Sequence, residues 1–191
     1  MRPWITFFSQ TGSEIYNLSN ALKRYPDAII TNKHDHSTTN IDLLNIIKFR
    51  EHKLNSIFLH TIPQKPALED YVAVLSKFEN PIITLHGYLK IIPKNICDKY
   101  EIYNLHPGLI NKYPELKGFN PQERAFTRGF KDAGCVIHKV TPGVDEGEIV
   151  AHGEIGIEGM SLTEVYSALH DCAFNTWINF LTEYNIIQSE S

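Results

Sequence analysis

Short apolar runs alternate with segments of helical period through the first hundred residues. This alternation constrains the fold more than any other feature of the chain. WITFF (4–8), AII (28–30), SIFLH (56–60), PIITLHG (81–87) and EIYNL (101–105) read as strands. Between them, EIYNLSNALKRY (14–25) sets Ile15, Leu18, Ala21, Leu22 and Tyr25 at three- and four-residue spacing, the pattern of an amphipathic helix. IDLLNIIKF (41–49) and ALEDYVAVLSKF (67–78) repeat that period. Ser13 reads as the N-cap of the first helix, and Pro81 suits a strand start. Strand–helix–strand repetition predicts an α/β fold with a mainly parallel central sheet, because parallel neighbours need a crossover connection.

The rest of the chain changes character. AGCVIHKV (133–140) and EIVAHGEIGI (148–157) alternate as an antiparallel pair near a sheet edge, joined by TPGVDEG. PQERAFTRGF (121–130) reads as a helix with Pro121 in its first position. SLTEVYSALHDCAFNTWINFLTEY (161–184) is the longest helical segment. Ser161 and Glu164 form a capping-box pattern, and Leu162, Val165, Tyr166, Leu169, Ala173 and Trp177 make the expected buried stripe. No repeat or linker interrupts the 191 residues, so one domain over 1–191 is expected, with helices on both faces of the sheet. In such folds ligands sit beyond the carboxyl ends of the strands. Ser9–Ser13, Thr31–Asn40, His86–Lys90 and Asn104–Gly108 should therefore gather along one rim.

Composition narrows the partners. Eighteen Lys and Arg stand against 22 Asp and Glu, without a basic block, which argues against a nucleic-acid partner. Cys97, Cys135 and Cys172 are odd in number and widely spaced, which fits a reducing compartment. MRPWITFFSQTGSE lacks the apolar core and cleavage site of a signal peptide, and no run approaches the roughly 18 apolar residues of a membrane span. A cytoplasmic protein is expected, monomeric or homodimeric, with no membrane partner.

NLHPGL (104–109) and DEGEI (145–149) carry the chemistry. Asn104 and His106 close a core strand, and Asp145 precedes Gly147 and the return to apolar residues. These residue types suit acyl transfer. Asn donates a hydrogen bond to an oxygen that becomes negative, His moves a proton near neutral pH, and Asp orients an imidazole. The same residues also serve as backbone caps and turns.

The motifs NLHPGLINKYPELKG and, about 30 residues on, AGCVIHKVTPGVDEGEIV resemble those of the folate-dependent formyltransferases. FFSQTGSEI, IITNK, LHGYLKIIP and KGFNPQERAF resemble further family elements in the same order, over residues 4 to about 155. The resemblance implies a Rossmann-like formyltransferase fold and a formyl transfer from 10-formyltetrahydrofolate to a small-molecule amine, without a metal. Glycinamide ribonucleotide, an intermediate of purine biosynthesis, is the first acceptor it implies. A nucleotide-linked amino sugar or another amine, or a non-catalytic folate- or nucleotide-binding module, are the alternatives. Asn104, His106 and Asp145 match the catalytic trio. Tyr88, Leu89, Lys90, Ile91 and Ile92 match the folate-contacting segment, with Thr141 and Val144 on a second loop. Thr11, Gly12, Ser13 and Glu14 match the phosphate loop, and His138 matches a histidine near the site. His34 and His36 form an HxH pair with no third metal ligand evident nearby.

Two residues depart from the family pattern. Glu14 stands where the phosphate loop has Asn, so a carboxylate takes the place of an anion's neighbour. Leu169 precedes His170 where the family has a Glu that contacts the acceptor. The loop after His106 is also longer and richer in tyrosine than is usual.

Overall fold

The computed structural model describes residues 2–50 and 57–184. Ser56, placed above at the start of the third strand, lies outside the described residues. Two compact units make up the chain: residues up to Ile102 together with those from Leu181 on, and Tyr103–Phe180.

Four parallel strands form the first unit's sheet, in the order β3-β2-β1-β4: β1 (Trp4–Phe8), β2 (Ala28–Thr31), β3 (Phe58–Thr61) and β4 (Ile82–Leu85). β1, β2 and β4 are buried along their whole length, as their mainly apolar runs, each with a single threonine, suit. Helices α1 (Ser13–Leu22), α2 (Ile41–Arg50), α3 (Leu68–Leu75) and α4 (Lys94–Lys99) follow the four strands in turn. Phe8, Ile15, Ile29, Leu43, Ile47 and Ile57 pack as one cluster of strand and helix side chains.

Local chemistry corrects several expectations here. Gly12, not Ser13, caps α1: its φ of 72° lies in the left-handed region that glycine enters without a Cβ clash, and Ser13 is the first helical residue. The buried face of α1 is Ile15, Leu18, Ser19 and Leu22, while Ala21 is exposed. Ser19 is tolerated there because its hydroxyl donates to the Ile15 carbonyl at 2.6 Å. Tyr25 falls beyond the helix, which ends where Lys23 turns left-handed. α4 was not anticipated: at six residues it is too short to show a period.

Three of the four strand-end loops do gather within this unit. Ser9 N–H donates to the Gly87 carbonyl at 3.1 Å, and Asn40 N–H donates to the Thr11 carbonyl at 2.8 Å. The Ser9 hydroxyl donates to Asn32 Oδ1 at 2.7 Å and accepts from Leu89 N–H at 3.0 Å.

The second unit is antiparallel. β5 (Glu101–His106), which enters this unit at Tyr103, pairs with β6 (Asp132–Lys139), and β6 pairs with β7 (Ile149–Gly156). A short 3-10 turn (Pro114–Leu116) and helix α5 (Pro121–Thr127) connect β5 to β6, with Pro121 in the first turn as expected. α6 (Leu162–Glu183) begins with the expected box: Glu164 Oε2 accepts from Ser161 N–H and from its hydroxyl, both at 2.7 Å. Its stripe needs revision. Val165, Leu169 and Trp177 are buried, Leu162 and Ala173 are half-buried, and Tyr166 is exposed; Cys172 and Thr176 complete the inner face. Leu169 packs with Ile110, Leu116, Ala125, Ala133, Val136, Ile157 and Val165. Burying such a leucine stabilises the fold by about 1.5–3 kcal/mol.

Candidate active site

Asn104 and His106 are two residues apart on β5, so they project from the same face of the strand. The β5–β6 register sets Asn104 opposite His138. Cross-strand partners also share a face, so Asn104, His106 and His138 emerge together on one side of the β5–β6 pair. Asp145 comes from the β6–β7 connection. Its φ of 53° is left-handed, a conformation that Asp enters more readily than most residues. Gly147 makes the return possible, because a Cβ there would overlap the Lys139 carbonyl oxygen. The Asp-x-Gly spacing thus turns the chain sharply and aims the carboxylate back at β5.

The Asp145 carboxylate lies between two imidazoles. Oδ2 is 3.1 Å from His106 Nδ1, and Oδ1 is 3.4 Å from His138 Nε2. The second approach is within ion-pair range but lacks hydrogen-bond alignment, and His138 Nε2 has no hydrogen-bond partner among the described residues. Gly118 N–H points at Oδ2 from 3.4 Å. The His106 contact, then His138, hold the Asp145 carboxyl far below the usual carboxylate range, against the opposing effect of burial.

His106 is 5% exposed, and its other nitrogen, Nε2, lies 3.0 Å from the Leu116 carbonyl oxygen. A carbonyl and a carboxylate only accept hydrogen bonds, so both ring nitrogens face acceptors. A ring that donates from both is the imidazolium. The Asn104 side chain is half-buried, and no hydrogen bond among the described residues engages its amide. The unit therefore presents, among the described residues, an uncommitted amide beside an imidazole that meets a carboxylate at one nitrogen and a carbonyl at the other. That arrangement stabilises an oxygen that gains negative charge during acyl transfer.

The other expected site residues divide between surface and core. In the second unit, Thr141 is half-buried, with its hydroxyl 3.4 Å from the Gly143 carbonyl, and Val144 is 65% exposed. In the first unit, Leu89 and Ile91 expose their apolar side chains (66% and 72%) and Lys90 is half-buried. Tyr88 and Ile92, by contrast, are core residues. Tyr88 packs edge-on against Phe7, and its hydroxyl hydrogen-bonds that of Tyr71 at 2.8 Å. Burial pushes the Tyr88 phenol far above its ordinary value. Leu89→Pro is expected to be severe, because proline deletes the N–H that Ser9 receives, whereas Lys90→Ala should have a modest effect. Titration of each variant with a folate analogue checks this; equal losses from both would overturn it.

Around the α1 start, Thr11 is exposed, Gly12 buried and Ser13 half-buried. Glu14 neither bonds the first-turn amides nor stays free. Its Oε2 lies 2.6 Å from Nδ1 of His86, whose side chain is fully buried. His86 Nε2 lies 2.8 Å from Thr84 Oγ1, which accepts from the Trp4 indole N–H at 2.9 Å. A carboxylate is thus fixed in the first turn of α1, where an incoming anion would otherwise gain from the helix dipole. Sequence reading singled out Glu14 and missed His86. The available signal was a His two residues after Thr84 at a strand end. His34 is exposed and His36 bonds Thr39; among the described residues no His, Cys, Asp and Glu cluster could hold a metal. Among them, too, no helix is long and apolar enough to cross a membrane.

The chain is thus an α/β protein with Asn104 and His106 at the end of β5 and Asp145 facing the His106 ring. Its sequence matches the model of the formyl transferase family over residues 5–181, and the chain belongs to that family. It is 31% identical over 106 residues to the phosphoribosylglycinamide formyltransferase of Haemophilus influenzae, covering 54% of this chain and 47% of that protein. It is also 29% identical over 119 residues to the methionyl-tRNA formyltransferase of Campylobacter lari, covering 62% of this chain and 38% of that protein. The chain thus spans less than half the length of these curated relatives. Among solved structures, the phosphoribosylglycinamide formyltransferase of Brucella melitensis superposes with a TM-score of 0.75 at 22% identity, over all of this chain and 98% of that one. This likeness bears out the expected Rossmann-like fold.

Proposed function

We propose that the chain transfers the formyl group of 10-formyltetrahydrofolate to a primary amine. The observation that carries this reading is the Asn104 amide, unengaged among the described residues, beside a His106 ring with acceptors at both nitrogens. The amine nitrogen attacks the formyl carbon, and the carbonyl oxygen becomes an oxyanion. Asn104 donates to that oxygen, and the His106 cation stabilises it through its field. Asp145 keeps the ring charged and oriented, and a water beside the carboxylate relays the proton that the attacking amine loses. Collapse breaks the bond from the formyl carbon to N10 of the folate, which leaves as tetrahydrofolate with that proton. The exposed apolar side chains of Leu89 and Ile91 suit stacking against the donor's pterin, with the 88–92 backbone supplying its hydrogen bonds.

Glycinamide ribonucleotide is the acceptor that the relatives put first. The Glu14–His86 pair and the buried Leu169 favour a different amine, such as a nucleotide-linked amino sugar. A fixed carboxylate opposes a phosphate at the α1 start, and Leu169 lies in the core, where it offers an acceptor nothing. A missing charged hydrogen bond is worth about 1.5–3 kcal/mol. The kcat/KM with glycinamide ribonucleotide is therefore expected to be at least about tenfold below that of a dedicated enzyme, a gap for which about 1.4 kcal/mol suffices. Measuring that constant decides the acceptor question, and parity with a dedicated enzyme would restore glycinamide ribonucleotide. Tetrahydrofolate release across a panel of amines tests the reaction itself. Release with none of them, alongside intact folate binding, would make the chain a non-catalytic binder.

A further inference from the structure

Arg124 has no part in the steps above, yet its guanidinium is committed to the loop that covers His106. Nη1 donates to the Glu115 carbonyl at 2.7 Å, and Nη2 donates to those of Leu116 at 3.0 Å and Lys117 at 2.7 Å. These carbonyls close the 3-10 turn, where backbone acceptors run out of partners in the turn itself. The Leu116 carbonyl is the one that faces His106 Nε2 at 3.0 Å, so the imidazole and the guanidinium meet at the same oxygen, which has two lone pairs. The Leu116 side chain is 1% exposed in the second unit's core, which pins that carbonyl from below. Arg124 Nε is buried without a hydrogen-bond partner among the described residues, so the fork holds the loop at the expense of one of its own donors.

We infer that Arg124 is a positioning residue for the transfer: its planar fork holds the Leu116 carbonyl against His106 Nε2 and so fixes the plane of that ring. The inference rests on the formyl-transfer reading for its consequence, but not for its geometry. Lysine in place of Arg124 would keep a charge there, but a single ammonium cannot span three carbonyls in one plane.

Full-length chain labelled with 15N in histidine tests the inference by NMR, with the His106 ring signals assigned by difference against His106→Gln. The wild-type ring is expected to carry a proton at Nε2 that exchanges slowly with solvent, because the Leu116 carbonyl faces it. In Arg124→Met, and equally in Arg124→Lys, the Nε2 proton should exchange too fast to observe. In both, kcat for tetrahydrofolate release should fall on the order of 10- to 100-fold with little change in KM, as misplacing a reacting group does. Should Arg124→Met fail to fold, Arg124→Lys carries the test. A slow Nε2 proton retained in a folded variant overturns the inference, as does its loss without a fall in kcat. A wild-type chain that releases no tetrahydrofolate with any amine defeats the formyl-transfer reading instead, while the ring signals still report whether Arg124 holds His106.

Discussion

Asn104→Ala is expected to fold as the wild type does and to lose roughly 10²–10³-fold in turnover, the usual effect of deleting one preorganised oxyanion donor. Both halves of this expectation follow from the local structure. No hydrogen bond among the described residues engages the side-chain amide, so its removal strands no partner, and a half-buried position of this kind costs little stability. Its place opposite His138 and two residues from His106 puts its side chain on the same face of β5 as the ring. Thermal unfolding and kcat measured on the same preparation separate the two effects. A folded variant with near-wild-type kcat would remove Asn104 from the mechanism.

The fold was legible wherever a local pattern reports a tertiary fact. Runs such as PIIT and AII announce buried strands, because only strands covered on both faces dispense with polar residues, and those strands are parallel here. The proline and the Ser161–Glu164 box announced helix starts for the same local reason. The α6 stripe was less legible. Tyr166 has the right spacing and is 41% exposed, whereas Cys172 and Thr176 face inward, with the Thr176 hydroxyl satisfied by the Cys172 carbonyl at 2.8 Å. A polar residue that closes its hydrogen bond within its own helix reads as a surface residue in sequence but behaves as a core one.

The cluster of the second unit was legible because all four of its members lie on two adjacent strands or on the turn that follows them, with its tell-tale glycine spacing. What stayed hidden depends on partners distant in sequence. Glu14 and His86 are 72 positions apart, and no period links them. Arg124 carries the ordinary signature of an exposed helical residue, and its purpose appears only once the 3-10 turn delivers three carbonyls to it. Tyr88 and Ile92 taught the opposite lesson. A segment similar to a ligand-binding one supplied two core residues and only two apolar side chains exposed to meet a ligand.

Asp145→Asn is expected to lower both turnover and stability, and pH distinguishes the causes. Asn enters left-handed backbone as readily as Asp, so this substitution leaves the φ of 53° unstrained and removes only the charge. In the wild type the carboxylate, 11% exposed, faces two buried histidines. Breaking a buried pair typically costs about 3–5 kcal/mol, and the retained amide oxygen puts the expectation at the low end, about 3 kcal/mol near pH 6. Turnover should fall on the order of 10²–10⁴-fold as the ring loses the group that keeps it charged and oriented. The carboxyl is depressed in the folded chain, chiefly by His106, so its contribution is fully present above the unfolded value of about 3.9 and is lost as pH falls towards the lower folded value. Below pH 3.9 the stability gap between wild type and variant should therefore narrow, by about 1.4 kcal/mol per pH unit, making it about 1 kcal/mol smaller at pH 3 than at pH 6. Denaturant unfolding of both proteins at those two pH values measures the gap. A gap that stays constant would mean that shape, not charge, is what Asp145 contributes to the fold.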